Sequence, residues 1–290
     1  MNGMPIRIAL VFGIMLLCMV PAVAAAADAA AAESENAYTQ SYAVLMKGEI
    51  AGSETVSEKD GNAGELVATS EHELYVTDRL ETKRMAFSTK MVLSKSTLMP
   101  ISYEHRYTTG SGDSYEVRVK DGQVTRLLNR SGRSSEVSIP VPPNMVMVDV
   151  NVYYQFDYII RRYDAKKGGR QLFANFVPVN GSDIPLAVTF LGTENLELGS
   201  HKLPVRNFRI EFVNIWSGTL SVDQNNRLVR WIVPAQDLQV IRTDLLLEKA
   251  GVMVVPGVGF GKNGEGFVRM ALTIPKERMT EAVERIGKVL

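Results

Sequence analysis

Short segments in which apolar and charged residues alternate constrain the fold of this chain more than any other feature. In residues 115–120, Tyr115, Val117 and Val119 are apolar and the residues between them are charged. Residues 208–212 repeat this alternation with larger side chains. Because successive side chains of a β-strand point to opposite faces, each segment would bury one face and expose the other to water. This pattern is typical of an antiparallel sheet.

Turn-forming residues separate these segments. Tight turns between strands require a positive φ, which glycine and asparagine adopt at low cost. Such turns are expected at residues 60–61, 110–113, 121–122, 180–181 and 225–226. Consecutive hairpins predict a meander of roughly ten or more strands, and a sheet of that size curls or closes on itself. We therefore predict a mainly β fold, built as a large curved antiparallel meander or half-barrel.

One segment departs from the strand pattern. Within residues 148–163, apolar residues recur at helical spacing, namely Val148, Val152, Phe156, Ile159, Ile160 and Tyr163. This spacing predicts a single amphipathic helix, inserted so that its apolar side lies against the concave face of the sheet. The resulting order of elements over residues 38–244 resembles the half-barrel of periplasmic lipoprotein carriers and of several uncharacterised exported families.

Residues 1–24 have the composition of a secretory signal peptide. Arg7 precedes the apolar run 8–20, and Pro21 and a series of alanines follow it. A cation, a short apolar run and an Ala-x-Ala site form such a signal, with cleavage expected after Ala24 or Ala27. The run is shorter than the ~20 residues of a membrane-spanning helix, so no membrane span is expected after cleavage. Residues 25–37 would form a flexible lead, and residues 38–244 an exported β-rich domain.

Charge and cysteine content exclude several classes of function. The chain has 32 basic and 32 acidic residues and a formal net charge of zero. Nucleic-acid-binding domains usually carry a clustered basic excess, so no nucleic-acid partner is expected. The single cysteine, Cys18, follows two leucines rather than the small residues of a lipoprotein signal. Cleavage would remove it, which would leave no disulfide, catalytic thiol or thiolate metal ligand.

Residues 245–290 follow a different pattern from the rest of the chain. A predicted helix at residues 244–250 is followed by a short strand, a glycine-rich loop, a second strand and a helix that begins at Pro275. The loop reads V-P-G-V-G-F-G from Val255, and the second strand contains G-E-G-F-V-R, ending at Arg269. This α-β-β-α segment closely resembles the C-terminal end of fold-type-I pyridoxal-phosphate aminotransferases, in the aspartate and diaminopimelate branch.

The resemblance implies that Arg269 corresponds to the arginine that binds the α-carboxylate of the substrate, since guanidinium bonds a carboxylate in a bidentate manner. The family also needs a lysine that forms a Schiff base and an acidic residue at the pyridine nitrogen. Lys95, between two serines, is a superficial match to that lysine, but it lies among strand-like residues. No alternation of strands and helices precedes the tail, as a cofactor domain would require. No catalytic residue and no cofactor are therefore expected.

The histidines give little support to a metal site. His72, His105 and His201 show no ligand-like spacing, so no metal site is expected. His72 lies between Glu71 and Glu73, and this arrangement favours a polar strand face or a turn. His105 shares the face of its strand with tyrosines, and packing explains it better than catalysis.

Large apolar side chains suggest a binding function instead. They could line a concave pocket, as ligand sites generally do, and the candidates are Phe156, Ile160, Phe208, Phe212 and Trp216. The same side chains could also fill the core between sheet and helix, and periodicity does not separate the two. The favoured function is a non-catalytic exported protein with an apolar, amphipathic or lipid-like ligand.

Two other hypotheses remain open at this stage. The tail alone would indicate a pyridoxal-phosphate-dependent amino-acid aminotransferase, or a fragment of one. Alternatively, the chain joins two unrelated coding segments near residues 242–246, where the last strand-like segment meets the aminotransferase-like ending. In that case we expect the tail to pack loosely against the preceding domain, because about 45 residues rarely hold a core unaided.

Overall fold

The computed structural model describes residues 38–62, 64–78, 81–110, 112–198, 201–249, 255–256, 268–269, 280–281 and 284–285. The predicted signal peptide, residues 1–24, and the predicted flexible lead, residues 25–37, lie outside the described residues. So does most of the segment that follows residue 249.

Strands dominate the described part of the chain. The first eight are β1 (Tyr38–Met46), β2 (Glu49–Asp60), β3 (Glu65–Asp78), β4 (Glu81–Ser94), β5 (Pro100–Tyr107), β6 (Ser114–Lys120), β7 (Gln123–Arg130) and β8 (Arg133–Pro140). The following elements are β9 (Met145–Met147), helix α1 (Phe156–Arg162), β10 (Arg170–Val177), β11 (Ser182–Leu198), β12 (His201–Phe212), β13 (Trp216–Val222), β14 (Leu228–Val233), a 3-10 turn (Pro234–Gln236) and β15 (Leu238–Arg242).

These fifteen strands form one sheet in the order β8 to β1, then β15 back to β9. The last strand returns to the first, so that Val44 of β1 lies opposite Val240 of β15. Neighbours pair in antiparallel fashion except β9 and β10, which run parallel. Strands β8 and β9 are consecutive in the chain, yet they lie at the two opposite edges of the sheet. The large curved antiparallel meander predicted from the sequence is confirmed.

The five predicted turns connect consecutive strands. In the turn between β6 and β7, Asp121 and Gly122 have φ values of 51° and 74°. Both angles lie in the left-handed region that a two-residue hairpin of this type requires. The turns at residues 60–61, 110–113, 180–181 and 225–226 likewise fall between neighbouring strands. Turn chemistry therefore located these five connections correctly.

Residues 148–163 fill the inside of the curved sheet, and we call them the plug. The predicted helix is shorter than expected, because only Phe156–Arg162 is helical. It is also not amphipathic, since Asp157 and Tyr158 are as deeply buried as Ile159 and Ile160. A helix enclosed by a sheet has no solvated side, and spacing alone could not show this enclosure.

Side-chain hydrogen bonds explain why residues 148–155 are not helical. The amide of Val148 donates to Oδ1 of Asn175 at 2.8 Å, and the amide of Asp149 donates to Oε1 of Gln155 at 2.7 Å. Asn151 has a φ of 61°, in the left-handed region. The amides of Tyr153 and Tyr154, which such a helix would have bonded to its own carbonyls, donate instead to Glu54, and the residues stay extended or turned.

The core forms where the inner face of the sheet meets the plug. Phe156 packs against Trp231 with ring centroids 4.9 Å apart, and Tyr154 meets Tyr158 edge-on at 6.1 Å. A cavity of about 10 Å³ lies beside Ile159, room for roughly one water molecule. The interior is therefore densely filled, and each fully buried apolar side chain stabilises it by about 1.5–3 kcal/mol.

The aminotransferase-like segment begins with helix α2 (Thr243–Lys249), close to the predicted position. Two of its residues are buried against the outer face of the sheet: Leu245 packs with Val205 and Val229, and Leu246 packs with Leu45. Further along, β16 (Val255–Pro256) pairs with β17 (Val268–Arg269) in a separate two-stranded sheet. This agrees with the predicted strand–loop–strand order. Within the described residues, no helix is long and apolar enough to cross a membrane.

Candidate functional site

Glu54 anchors the plug to the sheet. It projects inward from β2, and its two carboxyl oxygens accept hydrogen bonds from the amides of Tyr153 and Tyr154 at 2.7 and 2.8 Å. Burial raises the pKa of Glu54 to about 8, although the two amide donors favour the ionised form. The carboxyl therefore exchanges its proton near neutral pH, inside the protein.

The side chains of Ser70, His72 and Glu54 lie next to one another in that order. Ser70 Oγ is 2.6 Å from His72 Nε2, and His72 Nδ1 is 3.7 Å from Glu54 Oε2. The Ser70 hydroxyl also contacts Thr89, and all four side chains are buried. Burial lowers the pKa of His72 to about 3, with a further contribution from His105, so the imidazole is neutral. Because Ser70 is buried, its hydroxyl does not face a substrate site. The arrangement is part of the packed interior.

The expected place of His72 on a polar face or turn is wrong. Its side chain is 4% exposed and stacks on Phe87 with ring centroids 4.2 Å apart. The signal was present in the sequence, because His72 shares its strand face with Leu66, Ala68 and Leu74. His105, in contrast, packs on the aromatic face as expected, between Phe87 and Tyr115. No group of three or more potential metal ligands occurs among the residues that the structure describes.

Asp149 connects three separate parts of the chain. Its Oδ2 accepts hydrogen bonds from the hydroxyls of Tyr103 in β5 and Tyr115 in β6, at 2.8 and 2.5 Å. Its Oδ1 accepts one from the amide of Val179, in the turn between β10 and β11, at 3.3 Å. Nearby, Arg126 of β7 donates to the carbonyl of Asn180 in the same turn at 3.2 Å. Polar side chains therefore link strands β5–β7 to that turn, where no strand pairing joins them.

A second ionic group links the plug to β2 and β14. Arg227 forms two hydrogen bonds with Glu58, at 2.9 and 2.6 Å, and lies 3.5 Å from Asp157. Burial opposes ionisation of Glu58, but its bonds with Arg227 and the charge of Arg161 hold its pKa below the usual value. Burial raises the pKa of Asp157 to about 7, although Arg227 and Arg161 oppose this effect. This group therefore supports the packing of α1.

The five predicted pocket residues lie together within the core. The rings of Phe212 and Trp216 are tilted, with centroids 4.3 Å apart, and Phe208 meets Tyr163 edge-on at 5.4 Å. Phe156, Ile160, Phe208 and Phe212 are buried, and Trp216 packs against the same cluster. None of the five lines the 10 Å³ cavity or the cleft described next. Their side chains belong to one core cluster or pack against it.

A cleft of about 540 Å³ lies at one end of the interior, and we call it the end cleft. Its apolar wall continues the inward-facing rows of strands β3, β4, β6 and β7, beyond the plug. This wall consists of Val76, Met85, Tyr107, Tyr115, Leu128 and Val179. Its volume falls in the range of about 300–1,000 Å³ that small-molecule sites usually have. Tyr115 and Val179 also bond to Asp149, so the link between strands and turn forms part of the cleft.

Charged side chains border this apolar wall. Lys83, Arg84 and Arg130 contribute cations, and Asp113 contributes a carboxylate. Arg130 Nε lies 3.4 Å from Asp113 Oδ2, and Arg84 pairs with Glu73 at 2.5 Å. Burial raises the pKa of Tyr107, and the charge of Asp149 adds to this effect. The end cleft therefore combines an apolar surface with a charged border.

Sequence reasoning did not identify the end cleft. Period-2 patterning places Lys83 and Met85 on one strand face, and Leu128 and Arg130 on another. It does not show that these faces lie next to each other or that the plug ends before them. Only the pairing of neighbouring strands and the position of the plug reveal the site.

The residues present do not fit pyridoxal phosphate, which the aminotransferase resemblance implies. Lys95 lies in the turn between β4 and β5, its side chain is 55% exposed, and its Nζ pairs with Asp60 Oδ2 at 2.8 Å. A Schiff-base lysine must face an enclosed ring with an acidic partner. Arg269 is paired with Val255 in the small sheet, and its side chain lies outside the described part of the structure. No chemical step through the cofactor is derived.

The fold has a counterpart among solved structures. It is similar to a crystal structure of a beta-barrel-like protein, of the domain of unknown function DUF1849, from Brucella abortus. The match has a TM-score of 0.50 and 8% sequence identity, and it covers 70% of this chain and 93% of that one. At this identity the likeness concerns the fold alone. No family model matches the chain.

A short stretch of the sequence is similar to aminotransferases. It is 60% identical over 47 residues to the LL-diaminopimelate aminotransferase of Moorella thermoacetica. It is 57% identical over 47 residues to the L-glutamine–4-(methylsulfanyl)-2-oxobutanoate aminotransferase of Bacillus subtilis. Each match covers 16% of this chain and only 12% of the relative. The chain is thus a β-rich protein with a barrel-like fold that carries a short aminotransferase-like segment.

Proposed function

We propose that this protein is a non-catalytic exported binding protein that takes an apolar or amphipathic small molecule into the end cleft. The observation that supports this proposal is the cleft itself, with a volume of about 540 Å³ and a lining in which apolar and aromatic side chains are well represented. Apolar walls with a few polar groups at the border are the usual composition of ligand sites.

The ligand is assigned to the end cleft rather than to the space around Phe156, Phe208 and Trp216. Those side chains belong to the packed core or lie against it, so a ligand there would have to displace core contacts. A ligand in the end cleft would not have to displace core contacts. Its wall includes Val76, which is 50% exposed.

A fluorescent apolar probe tests this proposal. A dansyl-labelled undecanoic acid should gain fluorescence on binding, and Val76→Glu should weaken binding because it places a carboxylate on the apolar wall. Ile50→Glu is the matched control, since Ile50 is also 50% exposed and does not line the cleft. Binding that survives Val76→Glu, or that Ile50→Glu reduces equally, would place the ligand elsewhere.

Export is the second part of the proposal, and residues 1–24 support it through their cation, short apolar run and alanine-rich end. The test is the mass of the protein recovered from the periplasm of a Gram-negative host. A mature chain that starts after Ala24 or Ala27 is expected. A full-length chain retained in the cytoplasm would contradict export.

Aminotransferase activity is the second candidate function, and the similarity over 47 residues favours it. We infer common descent of that segment rather than shared activity, because it corresponds to 12% of the relative and because Lys95 is exposed in a turn. Borohydride reduction after addition of pyridoxal phosphate should leave Lys95 unlabelled beyond the level of other exposed lysines. Selective, stoichiometric labelling of Lys95 would overturn this inference.

A further inference from the structure

Exposed apolar side chains gather at one end of the sheet, the end that contains the end cleft. Met46 is the last residue of β1, and Ile50 is the second residue of β2, beyond the intervening turn. Strands β2 and β3 are antiparallel neighbours, so the start of β2 runs beside the end of β3, which carries Val76. All three side chains are about half exposed. Together with Ile215 they are called the apolar arc.

Ile215 belongs to the same end of the sheet. It lies in the turn between β12 and β13 and is 58% exposed. The 3-10 turn between β14 and β15 contacts β13, and the carbonyl of Asp237, which follows that turn, accepts a hydrogen bond from the amide of Lys47 at 2.9 Å. Lys47 lies in the turn between Met46 and Ile50. The apolar arc therefore follows neighbouring turns and strand ends.

The turns at the opposite end of the sheet are polar. They connect β2 to β3, β4 to β5, β6 to β7 and β13 to β14, and they present Asn62, Lys95, Asp121 and Asn225. Among the described residues of these four turns, no large apolar side chain is exposed. Water surrounds both ends alike, so exposed apolar side chains clustered at one end mark a contact surface there.

Area and charge favour a lipid surface over a protein as the partner. Four partly exposed aliphatic side chains supply only a minority of the ~800 Å² per partner that a stable protein interface buries. Lys47 and Glu49 are exposed, opposite in sign and lie in or beside the turn between Met46 and Ile50. This turn therefore carries no net charge that would select a charged protein or an anionic lipid.

The apolar arc also adjoins the opening of the end cleft. Val76 belongs to the arc and lines the cleft as well. A surface that covers the arc therefore also faces the cleft. A bilayer fits this position, because it accepts apolar side chains from separate turns without a matching shape.

We propose that the apolar arc docks on the surface of an uncharged lipid bilayer, with Met46, Ile50 and Ile215 inserted at the boundary between head groups and acyl chains. The removal of apolar surface from water drives this docking. The inference goes beyond the proposed ligand binding and does not require it. It adds an interaction surface and a partner.

Flotation with phosphatidylcholine vesicles tests the inference. The protein should float with the vesicles at low and high salt alike, because salt screens charges and not apolar contacts. Ile50→Glu combined with Ile215→Glu should weaken vesicle binding about tenfold or more, since it brings two carboxylates to an apolar boundary. Leu172→Glu combined with Leu191→Glu is the charge-matched control, because both residues are about half exposed and lie on β10 and β11. It should leave vesicle binding unchanged.

Two further measurements separate docking from folding and from ligand binding. Ile50→Trp should strengthen vesicle binding, because tryptophan favours the membrane–water interface. Ile50→Glu combined with Ile215→Glu should retain its affinity for dansyl-labelled undecanoic acid without vesicles, since neither residue lines the end cleft. Flotation that persists although the dansyl probe fails to bind would support docking and contradict the proposed ligand function.

Three results would overturn the inference. The first is a protein that does not float with phosphatidylcholine vesicles. The second is binding that requires anionic phosphatidylglycerol and disappears at high salt, which would assign the contact to charges. The third is a dimer in analytical ultracentrifugation that the double glutamate variant at Ile50 and Ile215 abolishes, since a second copy of the chain would then cover the arc.

Discussion

The hydroxyl of Tyr115 donates a 2.5 Å hydrogen bond to the carboxylate of Asp149, and both groups are buried. Asp149 also accepts from the amide of Val179, which lies across the end cleft from the strands. The two edge strands β8 and β9 are not paired in the sheet. Tyr115 and Asp149 therefore help to hold together parts of the barrel-like fold that the backbone leaves unconnected.

Replacing Tyr115 by phenylalanine should destabilise the fold by about 2 kcal/mol, because a buried carboxylate would lose a strong donor. Chemical denaturation of both proteins at one pH measures this difference. Tyr75→Phe is the control: the Tyr75 hydroxyl donates to Glu73 at a similar 2.6 Å, but at an exposed position. It should cause a much smaller change. Equal losses in the two variants would show that Asp149 needs no donor from Tyr115.

Glu54 should make the fold less stable as the pH rises from 7 to 9. The pKa of Glu54 is raised to about 8 in the folded state, so the folded protein binds more protons than the unfolded chain in this range. Stability therefore decreases with pH. The decrease that Glu54 causes should be about 1 kcal/mol, and Glu54→Gln should remove it.

The free energy of unfolding is measured at pH 7 and at pH 9. The difference between the two values tests the prediction, and the value at either pH alone does not. Glu54→Gln also changes the hydrogen bonds to Tyr153 and Tyr154, and that loss applies at both pH values. Glu73→Gln is the control, because bonds with Tyr75 and Arg84 lower the pKa of Glu73. Its titration lies below the range tested. An unchanged slope in Glu54→Gln would contradict the raised pKa.

Removing one partner of the buried ion pair between Arg227 and Glu58 should destabilise the fold. The side chains are 14% and 10% exposed, so Arg227→Met leaves a buried carboxylate without its main partner. We expect a loss of about 3 kcal/mol in the free energy of unfolding. The exposed pair of Arg84 and Glu73 is the comparison, and Arg84→Met should change stability little, since water screens such pairs. Similar effects of the two variants would contradict this assignment.

The junction with the aminotransferase-like segment should be part of the folded domain. Leu245 and Leu246 are 3% and 6% exposed on the outer face of the sheet, so replacing either with alanine should cost about 2 kcal/mol or more. Leu172→Ala is the control, because Leu172 is 57% exposed. Thermal or denaturant unfolding measures all three variants. If the Leu245 and Leu246 variants lose no more stability than Leu172→Ala, packing of α2 does not stabilise the domain.

Burial of Leu245 and Leu246 also bears on the hypothesis of a loosely packed tail. Helix α2 fills apolar surface on β1, β12 and β14, at Leu45, Val205 and Val229. At this point the sequence that resembles an aminotransferase packs on the β-domain. The expectation of loose packing is therefore wrong for α2, while most residues after 249 lie outside the described part of the chain.

Local patterns in the sequence indicated the mainly β fold, a meander of strands and five of its turns, because alternation and turn chemistry involve neighbouring residues. They also indicated the buried face that contains His105. The tertiary structure decided what these faces enclose. The plug fills the inside of the sheet and packs its Phe156 against Trp231, although the spacing of residues 148–163 suggested a longer amphipathic helix. The end cleft is lined by residues as distant in the sequence as Met85 and Val179, and no local pattern shows that they come together.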